Sequence, residues 1–143
     1  MRRRVENRTP EGFQPHFRKS GLTDPWEPLF SRNTGDAIII GLRTGPAHAN
    51  SRGLVHGALM TALADNAMGL SCALKTGSTG GLVTINLAMD FLASARMEQW
   101  LEVRPVVLKA GSAMAFASAT IHADDQLCAR ANATFRLAPS RQD

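Results

Sequence analysis

The sequence predicts an α+β domain in which one long helix is buried against the strands of an antiparallel sheet. Three observations predict it. Between Gly57 and Lys75, apolar residues recur at Leu59, Ala62, Leu63, Ala67, Leu70, Ala73 and Leu74, which is helical spacing with hardly any polar face. After it, Val83, Ile85, Leu87, Met89 and Phe91 alternate with Thr84, Asn86, Ala88 and Asp90, the period of two that belongs to a strand. The last apolar stretches are joined by short turns at Ala110-Gly111 and Asp124-Asp125, as in hairpins.

Taken in order, the chain begins with a stretch, 1–34, that reads as an N-terminal tail and a short helical segment. Pro10, Pro15, Pro25 and Pro28 break any long element there, yet Phe13, Phe17, Trp26, Leu29 and Phe30 are too apolar for a linker, so the stretch is expected to pack on the domain. Asp24 followed by Pro25 has the form of an N-cap with proline at the first helical position, which predicts a short helix over 25–31. Ile38, Ile39, Ile40 and Leu42 make a first strand, stopped by Gly45-Pro46. The central helix and a flexible glycine-containing loop at 77–81 lead into the alternating strand. A strand over 100–108 follows, tolerating Pro105 only at an edge or bulge, and then strands over 112–121 and 127–137. The last two carry Ala113, Ala115, Ala117, Ala119, Ala129, Ala131 and Ala133, whose small side chains let a sheet curve closely around a helix, although alanine is a mediocre strand former. The main domain is expected over 35–138, with a tail at 139–143.

A length of 143 residues fits one domain with a single core. Of the formal net charge of +4, Arg2, Arg3, Arg4 and Arg8 against Glu6 carry +3, so the basic balance is mostly an N-terminal effect. No aromatic or glycine interleaving continues that run, which reads as a solvated terminus, and no nucleic-acid partner is expected. The terminus lacks the apolar core of a signal peptide, and His56, Thr61, Asp65, Asn66 and Ser71 interrupt the helix too often for a membrane span. Cys72 falls on the buried helix and Cys128 in a strand, so a disulfide scaffold is not expected and a cytoplasmic location is. His16, His48, His56 and His122 are scattered, and no metal site is expected.

Asp65 stands out. One turn away lie Thr61, Ala62, Met68 and Gly69, none of them cationic, so the helix gives this carboxylate no salt-bridge partner. Two readings stand: Asp65 lies on the one strip that reaches solvent, or it is held for acid–base or nucleophilic work. The helix entry, His56-Gly57, offers unpaired backbone N–H groups that glycine lets a ligand approach, an arrangement suited to an oxyanion. Asp65 is about 12 Å further along the helix, too far for the two features to serve one reacting atom unless a second copy of the chain supplies one of them. Ser71 and Ser78 lack the setting of a nucleophilic serine, and Cys72 has no neighbouring base. Asn66 falls on another face of the helix.

Asn50, His56-Gly57 and Asp65, on a buried helix flanked by strands, resemble the pattern of the hotdog-fold acyl-CoA thioesterases of the PaaI-like, THEM2-like group, over residues 36–137. The resemblance implies a hotdog fold, an antiparallel sheet of five to six strands wrapped around a long central helix. It also implies hydrolysis of acyl-CoA to free acid and CoA at composite sites between protomers, in a homodimer or a dimer of dimers, a homotetramer. CoA is then part of the substrate, and no separate cofactor is implied. Carried over by position, Asp65 activates water or attacks directly, the Gly57 N–H polarises the thioester carbonyl, Asn50 helps position it, and His56 stands at the helix entry. Thr84 falls where relatives carry a hydroxyl that orients the water, and a threonine in a strand is equally ordinary by propensity. Met60, Met89 and Phe91 are expected to meet the acyl group, while Trp26 and Phe30 either border its channel or merely cover the sheet.

Two positions depart from the family pattern. Ala58 stands where many relatives have a second glycine, and Ser112 where many have a basic residue, which leaves Lys109, with Arg104, Arg130 or Arg136, to meet the CoA phosphates. Two alternatives belong to other classes: a hotdog dimer that binds acyl-CoA without turnover, and a hotdog enoyl-CoA hydratase or dehydratase, for which only His56 is a suitable histidine. No helix-turn-helix precedes the domain, which counts against a ligand-sensing regulator.

Overall fold

The structure, a computed structural model, describes residues 8–139. Arg2, Arg3 and Arg4, which carry most of the N-terminal charge, lie outside the described residues. The long helix α1 (Gly57–Thr76) spans 20 residues. Its start is set by His56, whose backbone is extended and whose Nδ1 accepts the Ala58 N–H at 2.9 Å. Its end is set by Gly77, which adopts the left-handed conformation (φ 66°) and donates its N–H to the Ala73 carbonyl. Leu59, Leu63, Ala64, Ala67, Met68 and Cys72 are at most 2% exposed. Burial pushes the Cys72 thiol up to about 11, so it is an inert packing group.

Among the described residues seven strands surround this helix: β1 (Gln14–Pro15), β2 (Phe30–Asn33), β3 (Ile38–Arg43), β4 (Leu82–Phe91), β5 (Trp100–Ala110), β6 (Met114–Ala123) and β7 (Gln126–Leu137). They form one antiparallel sheet in the order β1-β2-β3-β5-β6-β7-β4. The count exceeds the expected five to six because the proline-broken N-terminal stretch contributes β1 and β2. The helix expected over 25–31 is also corrected: a 3-10 turn covers only Asp24–Trp26, and Phe30 begins a strand. The turn starts one residue earlier than read, with Thr23 at the N-cap and Asp24 as its first residue; Pro28 has no N–H to continue it, and the next residue, Leu29, is 1% exposed in the core.

The alanine-rich strands meet the helix as expected. Ala117 pairs with Ala133 and Ala119 with Ala131, all at most 5% exposed, so small side chains let the β6–β7 ladder lie close to α1. Ser71 on α1 locks the helix to β3: its hydroxyl donates to the Ala67 carbonyl at 2.7 Å and accepts the Ile38 N–H at 2.9 Å. Pro105 lies just past the last β3–β5 pair, Ile40 with Val103, where β5 has become an edge.

β4 departs from the alternation read in the sequence. Thr84 is opposite Phe135 and Asn86 opposite Thr134, so Ile85 is an extra, bulged residue. The bulge resets the period: Thr84 shares the helix-facing side with Leu87, Met89 and Phe91, while Val83 and Ile85, expected inside, are 55% and 56% exposed. β4 is also the terminal strand of the sheet, so its outer edge is unpaired.

Candidate active site

The bulge turns Thr84 towards the helix, where its hydroxyl donates to Asp65 Oδ1 at 2.6 Å. Asp65 is half-buried on α1, and among the described residues no cation pairs with it. Asp65 thus lies on the strip of the helix that β4 leaves open, as the first reading has it, and a specific hydroxyl holds it there. One carboxylate oxygen is anchored, and the residue lines open space on two sides.

Two hollows meet at this pair and share Leu22, Ala62, Asp65 and Thr84. The larger, about 660 Å³, runs towards the start of α1 and is completed by Trp26, Ala58, Thr61 and Leu87. The smaller, about 370 Å³, runs towards the end of α1 past Asn66, Gly69 and Ala73, with Arg18, Ser20 and Thr23 on the side of the N-terminal loop. Together they supply a carboxylate, a hydroxyl that fixes it, an apolar wall and a polar one. These are the parts a hydrolytic site needs next to an acyl group.

The other expected residues are distributed around this centre. Gly57 is the first residue of α1, where an N–H has no partner one turn back, and it sits against Phe91: a Cβ added at Gly57 would lie 3.1 Å from the Phe91 ring. Asn50 shapes the preceding loop, its Oδ1 accepting the N–H groups of Arg52 at 2.9 Å and Leu54 at 3.1 Å. His56 spends Nδ1 on the helix cap. Within one chain, then, Asp65 with Thr84 and Gly57 with Phe91 are two separate pairs at opposite ends of β4.

Met60 is packed in the core at 3% exposure, Met89 is half-buried on β4, and Phe91 is 54% exposed beside Gly57. Trp26 lines the larger hollow, whereas Phe30 packs near Trp100 with ring centres 6.0 Å apart, so one borders the site and the other covers the sheet. Lys109 is exposed at the far end of β5. Arg104 is held by Glu102 and Asp125, each at 2.9 Å, and Arg130 by Asp90 at 2.8 Å, so neither is a free phosphate contact. Among the described residues no group of His, Cys, Asp and Glu is placed to hold a metal, and no helix is long and apolar enough to cross a membrane.

Sequence reasoning missed Arg18, Ser20, Leu22 and Thr23, and it set Asn66 aside although Asn66 lines the same hollow as Asp65. The apolar character of the N-terminal stretch did signal that it packs on the domain. Which of its residues reach Asp65 depends on where the stretch crosses the helix, and no local pattern encodes that.

The model of the family described as "Thioesterase superfamily" matches residues 52–129. A Pseudomonas aeruginosa protein named "Putative esterase" is 41% identical over 129 residues, covering 90% of this chain and 96% of that protein. Among solved structures, zebrafish thioesterase superfamily member 2 superposes with a TM-score of 0.75 at 18% identity, over 84% of this chain and 88% of that one. A Streptococcus pneumoniae TIGR4 structure described as a hypothetical thioesterase protein with coenzyme A gives 0.73 at 16% identity, over 82% and 94%. At those identities the two structures speak for the fold.

Proposed function

The chain belongs to the thioesterase superfamily, and from that premise we propose that it hydrolyses acyl-CoA thioesters with Asp65 as the working carboxylate. The observation that carries this reading is the 2.6 Å hydrogen bond from Thr84 to Asp65, in a half-buried place where no cation among the described residues neutralises the carboxylate. Coenzyme A as the thiol half is supported by its presence in the streptococcal relative. In this reading Asp65 takes a proton from a water whose oxygen attacks the thioester carbonyl. Negative charge then develops on the carbonyl oxygen against a backbone N–H, and the C–S bond breaks to release CoA and the free acid.

The N–H comes from a second copy. Along α1, Gly57 and Asp65 are about 12 Å apart, and their partners Phe91 and Thr84 are about 23 Å apart along β4. The unpaired edge of β4 supplies the remedy: antiparallel pairing with the same strand of another copy, centred on Ala88, sets Leu87 opposite the partner's Met89 and, because Ile85 is bulged, Thr84 opposite the partner's Phe91. Asp65 then approaches the partner's Gly57, and exposed Ile85 lies in the seam. A homodimer on this edge is the smallest assembly with a complete site.

Incubating the protein with a panel of acyl-CoAs and a thiol reagent tests the proposal. Free thiol released with saturation kinetics is the expected result. Saturable binding without thiol release identifies a binding protein, and a hydrated product with the thioester intact identifies a hydratase.

A further inference from the structure

We propose that the smaller hollow selects acyl groups that carry an anionic substituent away from the thioester, such as the half-thioester of a short dicarboxylic acid, and that Arg18 is the specificity-determining residue. This rests on the thioesterase reading and deepens it.

Size assigns the two hollows. A thioester at Asp65 sends its acyl half into one and its thiol half into the other. At about 30 Å³ for a water-sized group, the smaller hollow's roughly 370 Å³ has room for about a dozen non-hydrogen atoms. The pantetheine arm exceeds that before its phosphates begin, so the arm takes the larger hollow and the acyl group the smaller.

The walls assign the chemistry. Arg18 is the one cation among the residues lining the smaller hollow, and among the described residues it makes no hydrogen bond or ion pair. Ser20 and Thr23 satisfy each other at 2.9 Å and the Asn66 carboxamide faces the His16 ring, which leaves Arg18 as the free polar group away from the thioester end. Behind them His16 is 1% exposed, and neither ring nitrogen has a hydrogen-bond partner. Its polar neighbours are Glu27, Lys19, Arg18 and Asn66, and Lys19 is already held by Glu27 at 2.9 Å. A plain alkyl chain gives this guanidinium no partner but water, whereas a carboxylate accepts a charge-assisted hydrogen bond from it.

The test compares kcat/KM for matched acyl-CoAs of equal length, glutaryl against hexanoyl and succinyl against pentanoyl, in the wild type, Arg18→Gln and Arg18→Glu. Arg18 is exposed, so the variants should fold, and circular dichroism verifies it. The expected result is a wild-type preference for the anionic member of each pair of about tenfold or more, a ratio that falls at least as much in Arg18→Gln and further in Arg18→Glu. A wild-type preference for the neutral member overturns the proposal. So does an equal-fold loss on both members in the variants, which would place Arg18 on the CoA phosphates. Hydrolysis of neither member, nor of any other acyl-CoA, would instead bring down the thioesterase reading beneath it.

Discussion

At the scale of the residue, Asp65 is held by one neutral hydroxyl, and among the described residues no cation pairs with it. Asp65→Asn keeps the shape and the Thr84 contact but removes the charge. Turnover should fall by about 10²-fold or more with little change in substrate binding, while the melting temperature holds or rises, because a half-buried unpaired carboxylate costs folding energy. An earlier-melting variant with near-native turnover would make the carboxylate structural. His16 gives a second residue-scale expectation. Burial pushes its ring below the ordinary 6.5, Arg18 and Lys19 push the same way, and Glu27 and Asn66 oppose them. A group whose folded pKa is depressed contributes its full stability above its unfolded value and loses it as pH falls towards the folded one. Glu27 is likewise depressed but acts below its own ordinary 4.5, with burial opposing and Lys19 and the Leu29 N–H prevailing, so its acid loss comes later. Thermal melts from pH 7 to pH 5 should therefore show wild-type stability falling, and the slope should flatten in His16→Gln.

At the scale of the element, α1 is fixed to the sheet by the Ser71 hydroxyl as well as by its apolar faces. Ser71→Ala leaves the Ile38 N–H buried without an acceptor, which should cost about 1–3 kcal/mol in a denaturant melt; a loss well below that would show that water or a backbone shift replaces the hydroxyl. The helix itself was legible from its spacing and its His56-Gly57 entry, because local propensity and burial agree along it. β4 was legible as a strand but its faces were not. A period of two assigned Val83 and Ile85 inwards and Thr84 outwards, and the bulge at Ile85 reverses that end of the strand. The reversal matters because only a Thr84 that faces the helix can reach Asp65. Bulges depend on the pairing with β7, which the sequence of β4 alone does not carry. β1 and β2 were missed for a related reason: Pro28 and Pro15 read as breaks, yet short strands at a sheet edge tolerate proline.

At the scale of the whole molecule, the question is whether one chain holds a complete site. α1 places Asp65 with Thr84 and Gly57 with Phe91 as two pairs, and an edge-to-edge dimer with a two-fold axis makes two sites, each combining one pair from each copy. Complementation tests this directly. Asp65→Asn abolishes one half-site, and Gly57→Pro abolishes the other by deleting the donor N–H at a helix position that accepts proline. Each variant alone should be nearly inactive as a folded dimer. Co-expressed in equal amounts with random pairing, half of the dimers carry one of each chain, and in those one site joins the intact Asp65 of one copy to the intact Gly57 of the other. Activity should therefore return to about a quarter of the wild-type value per chain. If Asp65 and Gly57 instead acted within one chain, no pairing would restore a site, and the mixture would stay as inactive as its components. Ala88→Lys, which sets like charges face to face on the two-fold axis of the β4 seam, should abolish the rescue and yield a monomer by light scattering. A monodisperse monomer with full activity would remove the composite site altogether.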